Sequence, residues 1–295
     1  MSDRPNWEVE GRNWPNRGFS RFIDSGQLRW HVQIMGAEGA PVLLLLHGTG
    51  AATHSWRALA PLLATRFRVL APDLPGHGFT VGRPRGGLAM PAMARAVSDL
   101  MTVLGLDPAV LVGHSAGAAI AIRMTLDGRR AQPRAIVGLD AALLPFPGLA
   151  ATLFPSMAKL LFVNPFAPHI FARMARVPGE TARFLARSTG SRIDAAGAAC
   201  YQQLLATPAH CSGAITMMAN WDLLAFRRDL PRLDTPLLLL HGDVDTAIPI
   251  ATAKEAIAMV PNGRLVPLPG LGHLAHEEKP EDIASLIDAF VGEFA

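Results

Sequence analysis

Val110-Leu111-Val112-Gly113-His114-Ser115-Ala116-Gly117-Ala118-Ala119-Ile120-Ala121 is the stretch from which the rest of this chain is read. A short apolar run of the kind that makes a buried strand meets Gly-His-Ser-Ala-Gly, and a run of small residues that reads as a helix follows. Strand, sharp turn and helix are the setting in which G-x-S-x-G has chemical meaning, the nucleophile elbow. So tight a turn pushes its central residue into a positive-φ conformation, tolerable only where the residues two before and two after carry little side chain. Gly113, Gly117 and Ala118 meet that demand. The turn lifts the Ser115 hydroxyl above the carboxyl edge of a sheet, and the helix start aims the Ala116 N–H and the positive end of its dipole at any oxyanion forming there. A serine in an ordinary glycine-rich turn is the plain alternative, and the position between strand and helix counts against it.

Such a serine is inert at neutral pH without a base and a group to orient that base. Both follow in chain order. His241-Gly242-Asp243-Val244-Asp245 comes after the apolar run Leu237–Leu240, and Gly270-Leu271-Gly272-His273-Leu274-Ala275-His276 after the run Arg264–Leu268. His273, in a glycine-rich loop before the final helix, is the expected base; His276 is the competitor, expected to face solvent at the helix approach. Asp245 is chosen as the acid over Asp243 because it lies farther past the strand end, with Asp140, at the end of the preceding strand, as a third candidate. A single Asp after a strand would otherwise read as a turn or helix cap. The second oxyanion donor is expected in His47-Gly48-Thr49-Gly50, at the Thr49 N–H, because the glycines let the backbone approach closely. That loop also imitates a dinucleotide fingerprint, but Thr53 stands where the third glycine belongs and Asp73 runs on into Leu74-Pro75-Gly76-His77-Gly78. His47, His77, His114 and His241 sit at strand-end turns, where a structural hydrogen bond is the usual job, and no pair has zinc spacing. No cofactor and no metal are expected.

The wider chain fits one large α/β unit with an insertion. Of its 295 residues half are hydrophobic and 17% charged, and the net charge of +3 is too weak to argue for nucleic acid. Residues 1–18 read as an irregular arm with charges and no apolar signal region, and Cys200 and Cys211 offer no disulfide framework, so a cytoplasmic protein is expected. Phe19–Asp24 and Leu28–Ile34 read as an antiparallel pair. Val42–Leu46, Val69–Ala71, Ala109–Val112, Ala135–Leu139, Leu237–Leu240 and Arg264–Leu268 are apolar without alternation, the pattern of parallel strands buried on both faces. The economical fold is a mostly parallel, doubly wound sheet.

One connection, from Asp140 to Leu237, is far longer than a crossover helix requires. The expected division is therefore a core of residues 1–145 and 231–295 with a helical cap over 146–230. Between Ala141 and Ala172 the ionisable side chains are Lys159 and His169 alone, among residues such as Phe146, Leu153, Phe154, Phe162 and Phe171. Pro145, Pro147, Pro155, Pro165 and Pro168 interrupt any membrane span. Arg173, Arg176, Arg183, Arg187 and Arg192 follow against Glu180. This is either a cap with its own small core or an apolar, electropositive roof for a bulky anionic hydrophobic ligand or a membrane surface.

Leu46-His47-Gly48-Thr49-Gly50, Ala71-Pro72-Asp73-Leu74-Pro75-Gly76-His77-Gly78, the elbow, Gly242-Asp243-Val244-Asp245 and Gly272-His273 together resemble the α/β-hydrolase superfamily across nearly the whole chain. The resemblance implies that fold, and a triad of Ser115, Asp245 and His273. More narrowly, Trp7-Glu8, Gly11-Arg12-Asn13-Trp14-Pro15-Asn16-Arg17, Leu28-Arg29-Trp30-His31-Val32-Gln33, His54-Ser55-Trp56-Arg57 and Gly78-Phe79-Thr80 resemble the magnesium-chelatase accessory proteins of photosynthetic bacteria, assigned to bacteriochlorophyll synthesis. Thr80 stands where the generic hydrolase pattern has serine. The first expectation is a serine hydrolase for a bulky hydrophobic ester, a porphyrin ester among the candidates. The second is a non-catalytic module that holds a porphyrin or docks on the chelatase or a membrane through the cap.

Overall fold

The computed structural model describes residues 3–130, 132–145, 164 and 166–294. Nine strands of these residues form a single sheet: β1 (Ser20–Ser25), β2 (Leu28–Met35), β3 (Val42–Leu46), β4 (Arg68–Pro72), β5 (Val81–Gly82), β6 (Val110–His114), β7 (Ala135–Leu139), β8 (Leu237–Gly242) and β9 (Gly263–Leu268). Their order is β1-β2-β4-β3-β6-β7-β8-β9, with the two-residue β5 on β2. β1, β2 and β4 are paired antiparallel and everything from β4 onward runs parallel. This is the α/β-hydrolase fold.

The apolar runs are explained by burial on both faces. In β3, Leu44 and Leu46 pack with Met93, Val97 and Ile120, whereas Leu43 and Leu45 pack with Leu59, Leu63 and Ile287 on the opposite side. Successive side chains of a strand point to opposite faces, so a sheet covered on both sides requires every position to be apolar. Each fully buried leucine contributes about 2 kcal/mol of transfer free energy. One face is covered by α2 (Met90–Leu104) and α3 (Ala116–Asp127). The other is covered by α1 (Leu59–Leu63) and the final helix. β9 departs from the expected pattern: as the edge strand it leaves Gly263, Arg264 and Pro267 exposed.

Between β7 and β8 the described helices are α4 (Ala167–Ala175), α5 (Glu180–Thr189), α6 (Ala195–Leu205), α7 (Pro208–Ala219) and α8 (Leu223–Asp229). α9 (Ile250–Ile257), α10 (Ala275–Glu278) and α11 (Pro280–Gly292) complete the chain. Local chemistry marks these boundaries: the Asp194 carboxylate accepts the Gly197 N–H at 2.6 Å to cap α6, and Asp222 caps α8 from Ala225 at 2.9 Å. Residues 146–163 and 165 of the apolar insertion, with Phe146, Leu153, Phe154, Lys159 and Phe162, lie outside the described residues. Among the described residues no helix is long and apolar enough to cross a membrane.

The amino-terminal arm is more integrated than its composition suggests. Trp14 is buried against Ala52, Phe79 and Leu204, and its indole N–H donates to Thr53 Oγ1 at 2.9 Å. The arm thus bridges the core and α6.

Candidate active site

The elbow is strained as its sequence requires. Ser115 has φ 51°, between the last residue of β6 and the first of α3. Its N–H donates to the Leu139 carbonyl at 2.8 Å and its own carbonyl accepts from Ala142 at 3.1 Å, which ties the turn to the end of β7. A Cβ on Gly113 would overlap the Ala118 backbone, and one on Gly117 would overlap the Leu46 carbonyl. Both glycines are therefore steric necessities of this turn.

Gly48 approaches Ser115 so closely that a Cβ there would stand 3.0 Å from Ser115 Cβ. The 47–50 loop thus flanks the serine. Neither the Thr49 N–H nor the Ala116 N–H makes a hydrogen bond among the described residues, and the helix itself leaves the latter unbonded. Thr49 Oγ1 donates to the Met217 sulfur at 3.6 Å, connecting this loop to α7.

His273 and Asp245 meet directly. His273 Nδ1 lies 2.7 Å from Asp245 Oδ2, and Asp245 Oδ1 accepts the N–H groups of Ala247 at 2.7 Å and Ile248 at 2.9 Å. The carboxylate is thereby held with one oxygen turned to the imidazole. Asp243 faces elsewhere and accepts the Gly270 N–H at 2.7 Å. The His273 N–H donates to the Thr189 carbonyl at 2.8 Å, so α5 helps hold the histidine loop. His114, beside the serine, reaches the His273 carbonyl through Nε2 at 2.9 Å. No hydrogen bond joins Ser115 Oγ to His273; such contacts are commonly longer before substrate arrives.

Asp140 shares this corner. It is fully buried, has φ 46°, and accepts the Gly242 N–H at 2.7 Å through Oδ1, while Oδ2 has no partner. Burial, with Asp245 close by, holds its carboxyl well above the ordinary carboxylate range. One donor atom from each of Asp140, Asp245 and His273 lies within 4.8 Å of the others. Those donors could ligate a cation, although Nδ1 of His273 is already engaged by Asp245.

His276 does not face solvent. It is fully buried, 2.7 Å from Ser55 Oγ through Nε2, with its ring against Trp56 and His114. The next residue, Glu277, is also buried and accepts from Tyr201 Oη at 2.8 Å, Ser55 Oγ at 3.1 Å and the Arg57 guanidinium. Arg57 reaches on to Asp194 at 2.9 Å, so this network joins the histidine loop to α6. A charged run approaching a helix gives no local sign of that burial. Asp73 is likewise committed to the fold: it accepts from His31 and from the N–H groups of Thr53 and Phe79, leaving no carboxylate oxygen for a ribose.

A cavity of about 500 Å³ has Gly76, Thr80, Leu88, Pro168, His210 and Ile215 in its lining. Ser115 and His273 do not line it. His210 connects the two regions, since its Nε2 bonds the Gly50 carbonyl at 3.0 Å.

Against known proteins, the sequence model of the alpha/beta hydrolase family matches residues 43–286. The chain belongs to the α/β-hydrolase family. This hydrolase-family chain is 39% identical over 275 residues to the magnesium-chelatase 30 kDa subunit of Rhodobacter capsulatus, an alignment that covers 93% of this chain and 95% of the relative. It is 31% identical to the pimeloyl-[acyl-carrier protein] methyl ester esterase of Aromatoleum aromaticum, over 85% of this chain and 98% of that one. A solved structure of a thermophilic esterase from Thermogutta terrifontis superposes with a TM-score of 0.72 at 24% identity, covering 93% of this chain and 98% of the other. At that identity the likeness shows the fold.

Proposed function

We propose that this α/β hydrolase is a serine hydrolase that cleaves a bulky hydrophobic ester, in the pathway step that the magnesium-chelatase subunit serves. The 2.7 Å contact between His273 and Asp245, in a corner shared with the positive-φ Ser115, carries the reading. Ser115 Oγ attacks the ester carbonyl and its proton passes to His273 Nε2. Asp245 fixes the tautomer with the proton on Nδ1 and stabilises the imidazolium. The N–H groups of Thr49 and Ala116 receive the oxyanion. His273 then returns the proton to the departing alcohol, and water, activated by the same histidine, releases the acid and restores Ser115. No metal or cofactor enters this scheme.

Residues 146–230 are proposed as the cap over a core of 1–145 and 231–295. The 500 Å³ cavity, joined to the oxyanion loop through the His210–Gly50 hydrogen bond and lined by the apolar Leu88 and Ile215 beside Arg83 and Asp3, suits the large apolar body of a bulky hydrophobic ester, a porphyrin ester among the candidates.

A second reading rests on the cap surface. Phe166, Ile170, Phe171, Met174, Val177 and Phe184 are exposed on or beside α4 and α5, among Arg173, Arg183 and Arg187. Exposed apolar side chains interspersed with arginines favour docking on the chelatase or an anionic membrane, and with the 39% identity they support a non-catalytic accessory role.

Fluorophosphonate labelling, read by intact mass, separates the two. A single adduct that disappears in Ser115→Ala is the expected result. Folded protein that stays unlabelled, with pigment synthesis unaffected by Ser115→Ala, would remove catalysis and leave the docking role.

A further inference from the structure

The loop to which the hydrolase reading assigns an oxyanion donor is gripped by a helix that lies outside the sheet. Gly48 and Gly50 flank Thr49, and Gly50 stands at φ 78°, so this stretch has little stiffness of its own and the direction of the Thr49 N–H depends on what holds its neighbours. From within the loop, His47 Nδ1 donates to the Gly48 carbonyl at 2.8 Å, and that carbonyl shares one rigid peptide plane with the Thr49 N–H. On the other side of Thr49, the Gly50 carbonyl accepts from His210 Nε2 at 3.0 Å, and the Thr49 hydroxyl donates to the Met217 sulfur at 3.6 Å. His210 and Met217 both belong to α7, in the chain between β7 and β8.

The surroundings of His210 fix both its tautomer and its place. The ring is buried, and the Gly78 N–H donates to its Nδ1 at 3.1 Å. In a neutral imidazole the nitrogen that accepts leaves the other to carry the proton, so Nε2 is the donor and the Gly50 carbonyl its acceptor. Burial lowers the ring to about 4, which keeps that neutral form at neutral pH. α7 has no room to shift toward the sheet: a Cβ on Gly213 would overlap the Gly76 carbonyl, so the helix meets the 74–78 loop backbone to backbone. The His210 ring also stands edge-on to His77, with centroids 5.3 Å apart. One seat therefore fixes the helix, the imidazole and, through Gly50, the loop beside Ser115.

We infer that His210 is a positioning residue for the oxyanion hole: through it α7 holds the 47–50 loop so that the Thr49 N–H is already aimed when the substrate arrives. This rests on the hydrolase reading of Ser115 for its catalytic meaning. A donor fixed in advance stabilises developing charge better than one that must turn during the reaction, so releasing Gly50 slows the chemical step and leaves binding in place. His210 touches neither substrate oxygen nor nucleophile and acts through Gly50 and Thr49.

The test is the inactivation of the full-length protein by a short-chain fluorophosphonate over a range of concentrations, whose limiting rate reports attack by Ser115 and whose half-saturation concentration reports binding. His210→Asn keeps an acceptor for the Gly78 N–H near the Nδ1 position and loses the reach to Gly50, whereas His210→Gln keeps a donor near the Nε2 position and gives up Gly78. In His210→Asn the limiting rate should fall about 10- to 100-fold with the half-saturation concentration within about twofold of the unaltered chain, and His210→Gln should recover most of the rate. A histidine with a structural role alone would lower the melting temperature of both variants and leave the limiting rate of the folded protein where it was, and that result would overturn the inference. Met217→Leu conserves volume and frees the Thr49 hydroxyl; it should slow the limiting rate by about 2- to 5-fold, and it decides the matter, an unchanged rate counting against the inference, if melting shows His210→Asn unfolded. Order parameters of the Thr49 and Gly50 amides, from NMR on ¹⁵N-labelled protein, give a second reading: they should fall from about 0.85 toward about 0.6 in His210→Asn. If the unaltered chain takes no label, the hydrolase reading fails, and the order parameters alone decide whether α7 holds the loop, unchanged values overturning it. If the unaltered chain labels and His210→Asn labels equally fast, the role of His210 alone is overturned.

Discussion

Acidification from pH 7.5 to 5.5 should destabilise this protein by an amount set by its buried histidines. Burial lowers His54, His77 and His114 well below the usual histidine value of 6.5, His210 to about 4 and His276 to about 3. Each is neutral when folded and titrates near 6.5 when unfolded, so the unfolded chain binds more protons throughout this window. Stability is therefore complete above 6.5 and lost as the pH falls. The loss is about 1.4 kcal/mol per histidine between pH 7.5 and 5.5, or about 7 kcal/mol for five. Asp140, whose carboxyl is raised by burial and by Asp245, has the opposite sign: the folded chain holds its proton to higher pH than the unfolded chain does. It offsets part of the histidine loss as the pH falls, and Glu277, also raised by burial, adds in its direction. His47 and His241, also lowered by burial, act in the same sense as the five, so the net change is a loss of the order of a few kcal/mol, large against the ~5–15 kcal/mol of an ordinary domain. Urea unfolding followed by tryptophan fluorescence at pH 7.5, 6.5 and 5.5 measures it. In His210→Asn the loss should shrink by about 1.4 kcal/mol, whatever the variant does to stability at pH 7.5. Stability that is flat or rises toward pH 5.5 would refute the assignment of these histidines as neutral buried groups.

Two further perturbations test the architecture of the site. Gly117→Ala forces a methyl group against the Leu46 carbonyl and should destabilise by about 3 kcal/mol or prevent folding; any folded fraction should label at Ser115 much more slowly, as fluorophosphonate kinetics would show. Glu277→Gln leaves the Arg57 guanidinium without its buried charge partner and should cost about 3 kcal/mol by urea denaturation, with faster proteolysis near α6, because the network joining Asp194 and Tyr201 to the histidine loop is broken.

The elbow was legible because its physics is local: Gly113, Ser115 and Gly117 lie within five residues, and the steric demands of the turn act among them and the strand beside them. The central strands were legible for a similar reason, since a position covered on both faces tolerates only apolar side chains. β9 was misjudged because edge and interior depend on strand order, which no single strand encodes. His276 was expected in solvent because of its place at the approach to the final helix. Its actual surroundings, Ser55, Trp56 and His114, come from other parts of the chain. The partners of Trp14, among them Phe79 and Leu204, were invisible for the same reason.

The sequence by itself determined the fold family, the tight turn at Ser115 and the pool of acids and bases from which a site could be drawn, since hydropathic period, turn sterics and chain order are all properties of neighbouring residues. Only the tertiary structure decided which acid bonds His273, that Asp140 shares its corner with one oxygen unpartnered, and that Glu277 is a buried anchor for α6. Those facts depend on where separate loops end at the carboxyl edge of one sheet. There a displacement of an ångström separates a hydrogen bond from none, and no pattern within a short window specifies it.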